Sequence, residues 1–363
     1  MNAADSQWMA QALRLAERGL HTTSPNPRVG CVLVKEDKAV GEGWHERAGE
    51  PHAEVHALRA AGKAALGATA YVTLEPCSHH GRTPPCADAL IAAGVKRVVV
   101  AMQDPNPLVA GQGLQKLRAA GIEVECGLME AAARELNVGF VSRMTRGIPW
   151  VRSKIAASLD GRTALANGTS KWITGDAARH DVQHWRARSC AVLTGVGTVL
   201  ADDPQLNVRE ISTVRQPLRV VLDSELRISP RAAILQNGQT LIYTASSDTS
   251  KRRALQAGGA ELVTLAGKGG QVDLSAVLDD LGRRGINEVL VEAGRTLNGA
   301  LLQAGLVDEL VLYLAPQLLG DAARGLAAMG ELTQLQQGVA LKWQDMRQVG
   351  NDLRIVATIT KER

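Results

Sequence analysis

The chain has 363 residues, 45% hydrophobic and 21% charged, which suits two soluble globular domains with a core each. A net charge of +4 with only 3% aromatic residues leaves a base-stacking nucleic-acid platform poorly supplied, whereas a modest positive field suits phosphorylated small molecules. No apolar run approaches the roughly 20 residues of a membrane span. The charged, amphipathic start up to Leu20 reads as a helix and not as a signal peptide, so a cytoplasmic protein without membrane or nucleic-acid partners is expected.

In chain order, Asp5 or Ser6 is expected to cap a helix that runs to about Arg18 and stops at Gly19, with Trp8, Met9, Ala12, Leu13 and Ala16 on its buried face. Pro25-Asn26-Pro27 holds an asparagine in a stiff extended loop, where its amide offers both a donor and an acceptor to a heterocycle edge; a plain turn is the simpler alternative. Residues 29–34 and 39–44 read as a hairpin. Pro51 fits the first turn of a helix carrying His52 and Glu54. A strand from Thr69 to Leu74 delivers Glu75-Pro76-Cys77 to its C-terminal end, and Cys86 opens the helix that follows, where the dipole favours a thiolate. Further strands at 96–101 and 122–125, with helices at 114–120 and 129–137, complete a three-layer α/β domain. Arg143 to Pro149 reads as a linker, and the domains are expected to be 1–146 and 147–363. The second half alternates apolar runs with helical segments and reads as another α/β unit.

The chemistry concentrates in His52-Ala53-Glu54, Pro76-Cys77 and Cys86. A catalytic zinc takes three protein ligands and keeps one position open. His52, Cys77 and Cys86 fill those places, and Glu54 is left to move protons. His79 and His80 are rival ligands in the same loop. A single H-x-E arises often by chance, but here imidazole, thiols and carboxylate converge in type and order. A structural zinc would want a fourth ligand and would leave Glu54 without a task. The five cysteines otherwise read as core (Cys31, Cys190) or as having no evident role (Cys126), not as disulfides. In the second half, Gly195-Val196-Gly197-Thr198 is a weak dinucleotide signal, because the third glycine of the fingerprint is missing. Glu292 to Gly299 runs from a strand into a helix start that suits phosphate, with Arg186, Arg209, Asp202 and Asp203 as further candidates. Taken singly, each of these turns and arginines reads more simply as a tight turn or a solvated surface group.

Together, His52-Ala-Glu54, the run from Pro76 to Cys86 and Pro25 to Gly30 in the first half resemble the bifunctional deaminase–reductase family of riboflavin biosynthesis. In the second half the resemblance continues through Lys154 to Arg162, Trp172-Ile173-Thr174, Gly195 to Thr198, Asp202-Asp203-Pro204, Leu206 and Val291 to Gly294. It covers nearly the whole chain. It implies a cytidine-deaminase-like domain followed by a dihydrofolate-reductase-like domain. It implies zinc-dependent deamination of a phosphorylated diaminopyrimidine, then reduction of its ribosyl group to ribityl by NADPH. By the same resemblance Glu54 is catalytic, Asn26 orients the ring and Lys154 assists near the sugar. Ala156, Trp172, Thr198, Asp202, Ser224 and the turn of Gly294, Arg295, Thr296 and Leu297 border NADPH. Ser170, Arg186, Leu206, Arg209 and Glu292 border the substrate. Arg295 departs from the smaller or neutral residue expected there. A homo-oligomer, dimer or tetramer, is expected. Two other classes compete: a nucleic-acid base deaminase with a C-terminal binding domain, and a zinc-stabilised regulatory module. Low aromatic content and the two glycine turns count against the first; a change in nicotinamide fluorescence on mixing with NADPH is predicted by neither.

Overall fold

The computed structural model describes residues 2–79, 84–236 and 238–360. The chain divides into two compact units between Gly147 and Ile148.

The first unit contains α1 (Ala3–Glu17), β1 (Gly30–Lys35), β2 (Lys38–Trp44), α2 (Ala53–Ala61), β3 (Thr69–Val72), α3 (Cys86–Ala92), β4 (Arg97–Val100), α4 (Gln112–Ala119), β5 (Glu123–Cys126), α5 (Glu130–Leu136) and α6 (Val138–Arg146). The cap of α1 differs from expectation. Asn2 is the N-cap and Asp5 closes a reciprocal capping box with it. Asp5 is buried and also accepts from Tyr71 and Arg97, so its charge is spent on tertiary contacts. The stretch expected to be a linker is helical up to Arg146. Its side chain reaches back one turn to Ser142, and only Gly147, with φ +77°, ends the helix.

Among the described residues the sheet order is β2-β1-β3-β4-β5, with β1 antiparallel to both neighbours and β3, β4 and β5 parallel. Glycines let helices lie close on both faces. A Cβ at Gly30 would fall 1.9 Å from the Ala12 carbonyl oxygen in α1, and one at Gly43 2.4 Å from that of Ala53 in α2. Gly43 pairs with Cys31 and so shares its face, while Gly30 projects to the other. The helices therefore cover opposite faces, and the three-layer α/β arrangement is present. The close approach at Gly43 seats the start of α2 against the sheet.

The second unit contains β6 (Trp150–Ser158), β7 (Arg162–Ala164), α7 (Asp176–Arg188), β8 (Ala191–Gly195), α8 (Val196–Asp202), β9 (Leu218–Leu222), β10 (Thr240–Thr244), α9 (Thr249–Ala257), β11 (Ala260–Thr264), α10 (Leu274–Arg283), β12 (Glu288–Val291), α11 (Arg295–Gln303), β13 (Glu309–Ala315), β14 (Arg324–Gly325), β15 (Leu341–Val349) and β16 (Asp352–Ile359). Among the described residues the large sheet has the order β11-β10-β9-β8-β12-β6-β13-β16-β15, and β7 pairs with β14 separately. The seven strands from β11 to β13 are parallel; β16 and β15 are antiparallel additions at one edge. Buried aliphatics on both faces, such as Val192, Val220, Val221 and Leu290, match a sheet covered on both sides. Arg152, inside this core, is neutralised by Glu288 and Glu309 at 2.9 and 3.0 Å.

Candidate active sites

In the first unit the loop after β2 places His52 at the N-cap of α2, and the chain leaving β3 places Cys77 beside Cys86, the first residue of α3. His52 Nδ1 lies 3.3 Å from Cys86 Sγ and 3.6 Å from Cys77 Sγ, and all three ligand atoms fall within 4.8 Å of one another. Two bonds of zinc length at a tetrahedral angle separate a nitrogen and a sulfur by about 3.5 Å, so the donor set fits that metal. The backbone N–H of Cys86 donates to Cys77 Sγ at 3.3 Å, and hydrogen bonds from Cys86 and His52 hold the Cys77 thiol below its ordinary range. Of the rival ligands, His79 is exposed and His80 lies outside the described residues.

Glu54 is 3% exposed, and burial pushes its carboxyl up to about 7, the range in which a group both takes and gives a proton; the nearby His52 acts in the opposite direction.

Asn26 is joined to this centre through a residue that sequence reasoning passed over. His45 is 2% exposed; its Nδ1 lies 3.1 Å from the Pro51 carbonyl oxygen and its Nε2 3.1 Å from Asn26 Nδ2. A carbonyl only accepts, so Nδ1 carries the proton, and Nε2 of the neutral ring accepts from the Asn26 amide. Burial lowers the His45 pKa and favours that neutral form. Asn26 Oδ1 is then the amide atom not engaged by His45. The His45 ring meets His52 edge-on, with centroids 5.3 Å apart. The loop itself is held by Asn137, which accepts from the Arg28 N–H at 2.7 Å and donates to the Arg28 carbonyl at 2.9 Å.

In the second unit Glu292, just past β12, accepts from Arg186 Nε and Nη2 at 2.5 and 3.0 Å, and Lys154 Nζ on β6 lies 3.7 Å away. Burial raises the Glu292 carboxyl, but Arg186 and then Lys154 outweigh it and hold it down to about 2. Burial and Arg186 lower the Lys154 ammonium pKa, against the pull of Glu292. Lys154, Arg186 and Glu292 thus form one cluster. Arg209 is exposed, and its charge also lowers the Glu292 carboxyl; its N–H donates to Gln183 and its side chain lies 3.6 Å from Glu210. The Leu206 side chain is packed in the core with Val196 and Val199, so only its backbone is left to meet a ligand.

The two glycine turns lie together. A Cβ on Gly294 would be 3.9 Å from Thr198 Oγ1, and one on Gly195 3.4 Å from Leu297 Cδ2. Gly294 is the N-cap of α11 without a side-chain cap, so its first amides are available to an anion, and Arg295 and Thr296 are exposed on that turn. This open, glycine-lined helix start fits the phosphate-bearing cofactor that the sequence suggested. Asp202, at the end of α8, meets Lys171 at 3.3 Å, next to Trp172, whose exposed ring carries the Arg179 guanidinium 4.5 Å from its centroid. Ser224, beyond β9, accepts from the Val272 N–H at 3.1 Å, and Ala156 and Ser170 are half-buried.

Comparison with known proteins assigns both halves. Residues 2–102 match the cytidine and deoxycytidylate deaminase zinc-binding region, and residues 149–355 match the RibD C-terminal domain. The chain is 53% identical to the riboflavin biosynthesis protein RibD of Escherichia coli, over 96% of this chain and 98% of that one. It is 43% identical to RibD of Aquifex aeolicus over 97% of each. Among solved structures it is similar to Acinetobacter baumannii RibD, with a TM-score of 0.92, 50% identity and 99% coverage of each chain. A diaminohydroxyphosphoribosylaminopyrimidine deaminase/5-amino-6-(5-phosphoribosylamino)uracil reductase from Thermotoga maritima gives a TM-score of 0.87 at 33% identity, over 98% of this chain and 99% of that one.

Proposed function

This chain belongs to the RibD family of bifunctional riboflavin-biosynthesis deaminase–reductases, and on that premise we propose which of its residues perform the two reactions. The first unit deaminates the phosphorylated diaminopyrimidine and the second reduces the ribosyl group of the product with NADPH; a nucleic-acid deaminase is not favoured, because the C-terminal half is a reductase domain.

The observation that carries the deaminase assignment is the convergence of His52, Cys77 and Cys86 with buried Glu54 next to them. Zinc held by those three residues supplies Lewis-acid activation of water. Glu54 carries the two water protons in turn, the first to the ring nitrogen and the second to the departing amine. Asn26, fixed by His45, presents its amide oxygen to a donor on the pyrimidine.

In the second unit NADPH supplies the hydride. The start of α11 at Gly294, with Arg295, Thr296 and Leu297, receives the cofactor together with Ala156, Trp172, Thr198, Asp202 and Ser224. Arg186 and Glu292 fix Lys154 beside the sugar, and Ser170, Leu206 through its backbone, and Arg209 complete the substrate's surroundings. Lys154 in its lowered state is suited to hold or release a proton at the sugar oxygen.

Two further features support coarser expectations. β15 ends the large sheet, and its Trp343 and Met346 are 56% and 60% exposed, which supports pairing with a second copy as a dimer or as part of a tetramer. No helix among the described residues is long and apolar enough to cross a membrane, and the five cysteines are free thiols, which supports a cytoplasmic setting. The direct test supplies the diaminopyrimidine substrate and NADPH to the purified chain and follows ammonia and NADPH together; release of ammonia without NADPH oxidation would reject the assignment.

A further inference from the structure

We infer that Glu75 is a positioning residue of the deaminase pocket, holding the turn that carries Asp104 and Val109 against the metal ligand Cys77. The inference rests on the deaminase reading of the first unit.

Glu75 is 6% exposed, and its carboxylate accepts four backbone hydrogen bonds. Oε2 takes the N–H groups of Asp104 at 3.1 Å and Gly111 at 2.9 Å; Oε1 takes those of Gly113 at 2.8 Å and Leu114 at 3.3 Å. One side chain therefore ties together both ends of the segment from Asp104 to Leu114. Gly111 is the N-cap of α4, without a side-chain cap of its own, and Gly113 and Leu114 lie in its first turn. The carboxylate thus stands at the positive end of the helix and satisfies amides that would otherwise lack partners. The fit is close: a Cβ on Gly113 would lie 2.0 Å from the Pro76 carbonyl oxygen.

The same residue acts on the catalytic side of the fold. Its own N–H donates to the Met102 carbonyl at 3.0 Å, and its chain continues through Pro76 into Cys77. Cys77, Ser78, His79, Asp104 and Val109 border one cleft. Glu75 therefore sets the distance between the strand end bearing a metal ligand and the turn facing it. Inside the turn, Asn106 is held by Asp104 Oδ1 at 2.8 Å, and the Asn106 carbonyl accepts from Val109 at 3.0 Å, so the segment moves as a piece. Releasing one end displaces the cleft wall without touching His52, Cys77 or Cys86.

Glu75→Gln keeps the shape but replaces one acceptor oxygen by an NH2 group, which faces two N–H donors and frees one end of the turn. With the full chain, the variant should retain about one zinc and wild-type NADPH oxidation on the deaminated substrate. Its KM for the diaminopyrimidine should rise roughly tenfold or more, the scale of loss from a sub-ångström to ångström misplacement. Amide exchange at Asp104 and Gly111, or at Gly113 and Leu114, should accelerate. An unchanged KM, or ammonia release that falls only in proportion to lost zinc, would overturn the inference and leave Glu75 a purely structural residue. Wild-type protein that releases no ammonia would overturn the deaminase reading and this inference with it; wild-type release with an unaltered variant KM would overturn this inference alone.

Discussion

Arg186 on α7 donates two hydrogen bonds, at 2.5 and 3.0 Å, to the carboxylate of Glu292, more than a hundred residues later in the chain. Lys154 approaches the same carboxylate at 3.7 Å, so a single largely enclosed anion faces two cations in the reductase unit. The pair both shapes the site and couples its stability to pH.

The Glu292 carboxyl is held down to about 2 from an ordinary 4.5, chiefly by Arg186 and Lys154 against the opposing effect of burial. A depressed carboxyl contributes stability that is fully present above the unfolded value and is lost as pH falls through the folded one. Glu292→Gln should therefore melt below wild type at neutral pH, by up to about 3 kcal/mol. The gap should close between pH 4.5 and about 2. Melting curves of the two proteins across that range check it; a gap independent of pH would show that Glu292 contributes nothing through its charge.

Metal analysis addresses the ligand set. Wild type should carry about one zinc per chain. Cys86→Ala should lose most of it, since two ligands hold the ion poorly, and the His79→Ala protein should keep it. Undiminished zinc in the Cys86 variant would remove that residue from the set.

Asp202→Ala should weaken NADPH binding, seen as a raised KM for NADPH, because it removes the carboxylate that pairs with Lys171 beside Trp172. Ammonia release should be unaffected. Loss of ammonia release in a folded, zinc-replete Asp202 variant would contradict the assignment of that residue to the cofactor side.

Much of this arrangement is visible in the residues themselves. Gly30 to Trp44 shows its hairpin because β-branched residues flank a tight polar turn, and the position of Cys86 at a helix start follows from local pattern alone. The elements that escape are those whose cause is tertiary or whose pattern is faint. β15 is a mostly exposed edge strand without an apolar run, and β11 carries only Leu262 and Val263 as a signal. α8 follows β8 with no intervening loop, so Gly195 to Thr198 looks like a turn when it is a helix start. Arg143 to Gly147 has linker composition, yet α6 continues until the left-handed glycine. His45 and Glu75 carry no local mark of function. Their roles arise from partners that the fold brings in, Asn26 and Pro51 for one and the amides of α4 for the other.

The account centres on one chain with two chemically independent sites, and the Glu54→Gln protein tests that most directly. Glu54 is buried beside His52, Cys77 and Cys86 but is not one of the three proposed zinc ligands, so the variant should keep its zinc and lose deamination by roughly 100-fold or more, the usual contribution of a positioned proton-transfer group. Given the already deaminated intermediate, the same protein should oxidise NADPH at the wild-type rate. Near-normal ammonia release, or loss of NADPH oxidation in a folded and zinc-loaded variant, would contradict it.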